Sequence, residues 1–301
     1  MRICVQTAPI LDRYGIDAGF RMISEAGFDG VDFNIDHTLP YDAIVEGRTV
    51  PLYEAGEDAL IAAIAPYKEA AEKYNIVFHQ MHAPFPTYVK NEAGNAYVMR
   101  AIKACIRVCG YIGCKYIIVH PNFYGYDDKL SPEAEWDINI ARYSELIEVA
   151  REYDVIVCLE NMFTSHNQKI YAATCADMAE ANRYIDALNE IAGETRFGFC
   201  LDVGHALLVG KEIYSTILEL GDRLVTLHIH DNDGASDQHL FPYMGIMDWD
   251  RFTKGLRDAG YKGALSFETF NALNVINSAL APEALRFLHD IGRLFASEVT
   301  G

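Results

Sequence analysis

The sequence predicts an α/β protein that folds as a single (β/α)8 TIM barrel, with its site at the C-terminal ends of the strands. Three observations predict this class. Eight short apolar runs rich in β-branched residues recur along the chain, helix-length segments separate them, and no linker or change of composition divides residues 1–301 into two domains. Strands that alternate with helices form parallel, right-handed βαβ units, and eight such units close into a barrel. A doubly wound sheet is the alternative, but no G-x-G-x-x-G turn follows the first strand.

The eight predicted strands follow one another along the whole chain. They comprise residues 3–7 (ICVQT), 30–35 (GVDFNI), 76–82 (IVFHQMH), 116–120 (YIIVH), 155–160 (VIVCLE), 197–202 (FGFCLD), 224–230 (LVTLHIH) and 264–268 (ALSFE). The segments between them have the periodicity of amphipathic helices, and several end in a glycine just before the next strand. The longest irregular stretch is residues 37–58, which we expect to be a loop that covers the barrel mouth as a lid.

Composition and charge exclude several classes of protein. The chain is half apolar, which is ordinary for a globular protein with a sizeable core, and its formal net charge is −18. This charge repels phosphate backbones and anionic membranes, so we expect neither as a partner. The seven cysteines form no C-x-x-C pair, the N-terminus lacks a signal pattern, and no window approaches the about 20 apolar residues of a membrane span. We therefore expect a cytoplasmic protein with reduced thiols.

Potential metal ligands stand at the C-terminal ends of six successive predicted strands. In chain order these residues are His82, His120, Glu160, Asp202, His228 and Glu268. The loops at this end of a barrel converge on one cavity, where unpaired charges would repel each other and lose their hydration. A divalent cation removes that difficulty. The sequence therefore predicts that Glu160, Asp202, His228 and Glu268 bind one divalent metal, which is Mn²⁺, Mg²⁺, Co²⁺ or Zn²⁺.

Further polar residues of the strand-end loops are candidates for a second metal or for substrate. His205 follows Asp202 by three residues, so the two share one face of the first helical turn, and His205 either contacts substrate or binds a second ion. Asp237 and His239 lie two residues apart after the seventh strand. They bind a second metal together with His205, bind sugar hydroxyls, or belong to a solvated loop. His82 and His120 either line the site or are structural.

The remaining histidines and aromatic residues receive simpler predictions. His230 is expected to point to the opposite side of its strand from His228 and to support the site or the core, while His79 and His289 are expected to be structural. Trp249 is expected to pack against the start of the next helix. Aromatic loop residues that we expect to line the pocket are Phe85, Phe123, Tyr124, Phe163, Phe241 and Phe270.

Short motifs at these positions carry a resemblance to a known superfamily. They are HAPF (82–85), VHPN (119–122), LEN (159–161), LDVGH (201–205), LHIHD (227–231), DQH (237–239) and FET (267–269). Their order resembles that of the xylose-isomerase-like barrels, which comprise sugar phosphate isomerase/epimerases and the endonuclease IV group (AP endonuclease family 2). The departure is PYMGIMDW (242–249), with Tyr243 where relatives carry the first glycine of P-G-x-G.

The resemblance implies roles for individual residues. In the ketose 3-epimerase and inositol-pathway branches, the positions that match Glu160, Asp202, His228 and Glu268 hold one divalent metal, and the two glutamates act as acid and base. In endonuclease IV, nine ligands hold three zinc ions, so the resemblance also admits further zinc ions here. All nine residue types recur in this chain as His82, His120, Glu160, Asp202, His205, His228, Asp237, His239 and Glu268.

Three features favour a sugar enzyme over a nuclease. The segment after the sixth strand is DVGH, which resembles the sugar-isomerase form and not the DTCH of the nucleases. The charge is strongly negative, and no Lys or Arg lies between Asp231 and Asp250 or between Thr269 and Leu285. A nuclease needs cations to bind phosphates, and phosphate sites of barrels often follow these two strands.

We therefore expect a metal-dependent isomerase or epimerase of a neutral keto-sugar or polyol, with Glu160 and Glu268 as acid and base and His205 bonded to a substrate oxygen. Three alternatives remain. The first is a lyase or dehydratase of the same superfamily, which acts on a keto-inositol or on a 3-keto-glycoside, including a C-glycoside. The others are an abasic-site nuclease and a non-catalytic sugar-binding barrel. The expected partner is a small carbohydrate. A homo-oligomer is compatible with a barrel of this kind, but no interface can be identified in the sequence.

Overall fold

Eight parallel strands form a closed barrel in the computed structural model, which describes residues 1–301. The strands are β1 (Ile3–Gln6), β2 (Gly30–Asn34), β3 (Val77–His82), β4 (Tyr116–Ile118), β5 (Ile156–Glu160), β6 (Phe163–His166), β7 (Lys169–Ala172), β8 (Phe197–Asp202), β9 (Leu224–His228) and β10 (Leu265–Phe267), of which β6 and β7 lie outside the barrel. The barrel order is β10-β1-β2-β3-β4-β5-β8-β9. A parallel bridge between Ile229 and Phe267 joins its first and last strands. The predicted (β/α)8 barrel is confirmed.

Helices follow the barrel strands and surround the sheet. They are α1 (Ala8–Tyr14), α2 (Ile16–Ala26), α3 (Tyr41–Val45), α4 (Pro51–Glu54), α5 (Glu57–Lys73), α6 (Glu92–Ile112), α7 (Pro132–Ser144), α8 (Ile147–Glu152), α9 (Met178–Ala192), α10 (Val203–Leu208), α11 (Ile213–Leu220), α12 (Trp249–Asp258), α13 (Phe270–Val275) and α14 (Ala281–Thr300), with short 3-10 turns at Asp36–Thr38, Tyr126–Asp128, Gly221–Arg223 and Ser278–Leu280. Side-chain caps explain several starts: Asn91 accepts a hydrogen bond from the Gly94 amide at the start of α6, and Asp248 accepts one from the Arg251 amide at the start of α12. No helix is long and apolar enough to cross a membrane.

The structure corrects three details of the expected architecture. Residues 37–58 are not irregular, because α3 and α4 lie within them and α5 begins at Glu57; their role as a lid stays a prediction. β4 ends at Ile118 and β9 at His228, each two residues earlier than expected. The antiparallel hairpin β6–β7 was missed; its turn residues, Asn167 and Gln168, have left-handed φ values of 50° and 62°.

The two faces of the barrel strands differ in polarity at their C-terminal ends. Apolar side chains pack between strands and helices in a core of 77 buried residues. In contrast, buried polar residues of the barrel strands include Gln6, Asp32, Gln80, Glu160, Asp202 and His228. Buried polar groups are unfavourable unless they are paired, so this polar group within an otherwise apolar barrel indicates a site. All seven cysteines are buried and free of disulfides.

Candidate metal centre and active site

A cavity of about 890 Å³ opens at the C-terminal ends of the strands. Seven of the predicted site residues line it, namely His82, His120, Glu160, His205, Asp237, His239 and Glu268. Asp202 and His228 are fully buried and do not line the cavity. The loops that follow six different strands thus bring the predicted residues to one place, as expected for this end of a barrel.

The four residues predicted to bind one metal converge on a single atom. Nδ1 of His228 lies 3.1 Å from Oε1 of Glu160, 3.5 Å from Oε2 of Glu268 and 4.0 Å from Oδ2 of Asp202. Ligand atoms that surround a tetrahedral zinc ion at about 2.1 Å are themselves separated by about 3.4 Å. The distances from Nδ1 of His228 to Glu160 and Glu268 are close to this spacing and the distance to Asp202 is longer, and overlapping groups that contain these residues offer ligand atoms for a metal ion.

A second group lies beside Glu160 and contains two histidines. Nε2 of His82 is 2.9 Å from Nε2 of His120, and Nε2 of His120 is 2.9 Å from Oε2 of Glu160. Nδ1 of His82 lies 2.7 Å from the carbonyl oxygen of Ala83, to which it donates, and this bond directs the other ring nitrogen toward His120. Oε2 of Glu160 is buried, and its contact with His120 lacks the alignment of a hydrogen bond.

A third group lies beside Asp202. Its members are His205, His230, Asp237 and His239, each of which offers one ligand atom within 4.8 Å of the others. Nδ1 of His205 donates to the carbonyl oxygen of Asn161 at 2.9 Å, and Nδ1 of His239 donates to that of Glu268 at 2.8 Å. With Nδ1 held in this way, Nε2 of each ring is left to face Asp237, at 3.7 Å and 2.9 Å respectively.

His230 faces the site, so the expectation that it points away from His228 was wrong. Nε2 of His230 lies 2.9 Å from Oδ1 of Asp202, while Nδ1 of His228 lies 4.0 Å from the other oxygen of the same carboxylate. The physical reason is the pleat of a β-strand, in which residues two apart point to the same face. His230 is therefore a further candidate ligand, between the central group and the third group.

Buried carboxylates and histidines of the site shift each other's pKa values. Burial by itself opposes ionisation of Glu160, yet the neighbouring His228 and His120 hold its pKa well below the usual value. Burial likewise opposes protonation of His205, but Asp202, Asp237 and Glu160 raise its pKa to about 10. Carboxylates that keep their charge in a buried site require cations nearby. The buried His, Glu and Asp clusters offer ligand atoms within 4.8 Å of one another, a donor set that fits metal ions.

Aromatic residues line one part of the cavity. Phe85, Phe123, Phe163 and Phe270 do so as predicted, whereas Phe241 and Tyr124 do not. Phe241 is buried in the core, and Tyr124 belongs to a separate surface pocket. Trp249 does not stack in the cavity: it is the first residue of α12, contacts Phe252 of the same helix, stacks on Phe295 of α14 and donates from Nε1 to Asp231 at 3.1 Å.

Several residues of the site were missed. Gln6 is the last residue of β1 and donates to Oε1 of Glu268 at 2.5 Å, whereas Asp32 lies in the middle of β2. The rule that selected the other six residues takes a potential ligand at the end of a predicted strand, and the strands predicted at 3–7 and 30–35 end at Thr7 and Ile35, so that rule finds neither residue. Asp12, Arg13, Asn34, Asp36 and Asn274 extend the cavity wall, but no pattern in their local sequence marks them. Arg13 is the sole Lys or Arg of the lining, and it donates to the carbonyl oxygen of Ile276 at 2.8 Å.

Comparison with known proteins supports this description. The chain is 25% identical over 256 residues to the fructoselysine 3-epimerase of Shigella flexneri, an alignment that covers 85% of this chain and 86% of the relative. Its fold matches that of the IOLI protein, solved with a bound zinc atom, with a TM-score of 0.72 at 19% identity over 99% of this chain and 98% of that one. The 3-keto-D-glucoside 4-epimerase YcjR of E. coli gives a TM-score of 0.69 at 18% identity, covering 98% of this chain and 99% of that one.

The family described as xylose isomerase-like TIM barrel matches residues 20–291. This match spans most of the chain and includes every barrel strand except β1. The distant relatives include sugar epimerases and isomerases, and also a probable endonuclease 4 of Metamycoplasma arthritidis, which is 26% identical over 182 residues, 58% of this chain and 60% of that one. The chain therefore belongs to the xylose isomerase-like TIM barrel family.

Proposed function

We propose that this protein is a divalent-metal-dependent isomerase or epimerase of a keto-sugar or polyol, which removes and returns a proton next to a carbonyl group. The convergence of Glu160, Asp202 and Glu268 on Nδ1 of His228 carries the proposal. A metal bound there supplies Lewis-acid polarisation of the substrate's oxygens. The cavity above it is large enough to hold a sugar.

The protein's own residues provide proton transfer and orientation. Glu268 and Glu160 flank the reacting carbon, one as base and the other as acid. Gln6 holds Oε1 of Glu268, and Oε2 of the same carboxylate lies 3.5 Å from Nδ1 of His228. His205 lines the cavity with its Nδ1 bonded to the carbonyl oxygen of Asn161, so its Nε2, 3.7 Å from Asp237, is the atom that donates a hydrogen bond to a substrate oxygen.

The charges of the cavity wall favour a substrate without phosphate. Arg13, the sole Lys or Arg of the lining, is engaged by the Ile276 carbonyl, and the wall also carries Asp12 and Asp36. Phosphate binding requires cationic donors or free backbone amides. Sugar substrates are also named for the relatives, including fructoselysine 3-epimerase.

The experiment is hydrogen exchange on a panel of keto-sugars. With metal present, the protein is expected to exchange the substrate's carbon-bound hydrogen with deuterated water, as followed by NMR. Glu268→Gln should fold normally and lose turnover by about 10²–10⁴-fold, the usual contribution of one positioned acid–base group. Glu283→Gln, which changes an exposed glutamate on α14, is the matched control. Full exchange by Glu268→Gln would remove the acid–base assignment.

Two related activities use the same residues. A lyase or dehydratase also begins with proton abstraction, and it differs in expelling a leaving group, which product analysis on keto-inositols and 3-keto-glycosides detects. The three adjacent ligand groups resemble the three-zinc arrangement described above for endonuclease IV, so abasic-site cleavage is also tested. The net charge of −18 argues against DNA binding, and the absence of a nick in abasic duplex DNA would eliminate this activity.

A further inference from the structure

A buried carboxylate, Asp32, lies on the far side of the His228 ring from the central group. Its Oδ2 is 3.0 Å from Nε2 of His228, while Nδ1 of the same ring is 3.1 Å from Glu160. Asp32 is fully buried and does not line the cavity. The imidazole of His228 therefore stands between a carboxylate that cannot reach substrate and the carboxylates that surround the candidate metal position.

The position of Asp32 is itself fixed by a second contact. Nε2 of Gln80 donates to the same Oδ2 at 3.0 Å and to the carbonyl oxygen of Leu227 at 3.2 Å. Asp32 comes from β2, Gln80 from β3 and His228 from β9, so this network crosses the barrel interior. Three elements distant in sequence hold one carboxylate oxygen against one ring nitrogen.

A carboxylate that accepts a hydrogen bond from one nitrogen of a neutral imidazole fixes the tautomer of the ring, so the other nitrogen is unprotonated. When a metal ion is bound, this hydrogen bond would keep the proton on Nε2 and leave the lone pair of Nδ1 for the ion among Glu160, Asp202 and Glu268. It also increases the electron density on Nδ1 and fixes the plane of the ring. A fully buried carboxylate is costly to maintain, and a neutral amide would satisfy Gln80 and fill the same space.

We propose that Asp32 is a positioning residue for the candidate metal centre, because it fixes the ring and tautomer of His228 so that Nδ1 faces the ion. This inference rests on the metal centre of the proposed function. Removal of such a partner typically weakens metal binding by about 10–100-fold, so Asp32→Asn should weaken binding of zinc at the central group by that factor. Asp32 itself contacts neither metal nor substrate.

The test measures zinc binding to the whole protein by competition with a chromophoric chelator. Wild type, Asp32→Asn and Asp231→Asn are compared after folding is checked by circular dichroism. Asp231 is the matched control because it is also fully buried and accepts hydrogen bonds from Trp249 and the Met247 amide, yet it contacts no histidine of the central group. The expected result is weaker zinc binding in Asp32→Asn and unchanged zinc binding in Asp231→Asn.

A second measurement needs no variant of Asp32. In zinc-loaded wild type labelled with ¹⁵N-histidine, NMR should show His228 protonated at Nε2, with a downfield, slowly exchanging proton, and unprotonated at Nδ1; His228→Gln assigns the signal. The opposite tautomer overturns the inference, as does unchanged zinc affinity in Asp32→Asn. If wild type itself binds no zinc, manganese, cobalt or magnesium, the metal centre of the proposed function fails instead, so the two failures are distinguishable.

Discussion

Gly204 lies against the ring of His230, and its replacement by alanine gives a sharp test of how the site is packed. A Cβ at this position would lie 2.0 Å from Cε1 of His230 and 2.4 Å and 2.6 Å from its two ring nitrogens. Non-bonded carbon atoms are normally about 3.5–4.0 Å apart. Glycine is thus required at position 204 because the His230 ring lies so close to its backbone. In the alanine variant, the ring or the helix must move apart by more than about 1 Å to restore a normal separation.

Neither partner has room to move. The His230 ring is fully buried and stacks on His239 at 3.9 Å, while the carbonyl oxygen of Gly204 is held by the side chain of Asn232 at 3.0 Å. Overpacking a core by a methyl group costs about 1–3 kcal/mol, and loss of the charged hydrogen bond between His230 and Asp202 adds about 1.5–3 kcal/mol. We therefore expect Gly204→Ala to lower the free energy of unfolding by about 3–6 kcal/mol.

Urea unfolding followed by circular dichroism measures this change, and titration with zinc measures its effect on the site. Gly125→Ala is the control, because its Cβ would meet nothing within 4 Å and its φ of −60° suits alanine. It should leave stability and metal binding unchanged or raise stability slightly. A Gly204→Ala protein as stable as wild type, with the same zinc stoichiometry and affinity, would refute the packing of His230 described here.

Two further predictions concern groups outside the metal centre. Burial lowers the pKa of His79 from its ordinary 6.5 to about 4. Between these two pH values the unfolded chain therefore binds more protons than the folded chain. The stability that is present above about pH 6.5 is lost as the pH falls toward 4. The loss should reach about 2–3 kcal/mol at about pH 4.5; if urea unfolding shows the same pH dependence in His79→Phe as in wild type, this group is not responsible. Asn139, also buried, accepts from the Asn122 amide at 2.7 Å and donates to the Asn122 carbonyl at 2.9 Å. Asn139→Leu should cost about 1–3 kcal/mol by leaving the Asn122 amide unpaired, while the carbonyl keeps its hydrogen bond from Thr174. An unchanged Tm would contradict this.

The loop after β9 shows how a departure from a motif can preserve backbone shape. Tyr243, which stands where relatives carry a glycine, has a left-handed φ of 71°. Its ring packs at 6.2 Å from Trp249 and 5.9 Å from Phe295. Tyr243, which is largely exposed, thus adopts a backbone conformation that glycine adopts more readily.

The sequence by itself determined the order of the strands, the barrel and the types of candidate ligand. These follow from local patterns, since apolar runs of strand length alternate with amphipathic helices, and the C-terminal ends of parallel barrel strands converge on one region. Even the orientation of His230 follows from strand parity, which places it on the same face as His228.

The tertiary structure alone decided how these side chains are arranged relative to one another. The contact of Asp32 with His228 joins residues 196 positions apart, and the contact of Gly204 with His230 depends on where α10 meets the end of strand β9. Such contacts depend on the register and twist of a closed sheet, which arise from packing of the entire chain and leave no mark on any local stretch of sequence. The same is true of the ring nitrogen that each histidine presents, because its hydrogen-bond partner on another strand or loop fixes it.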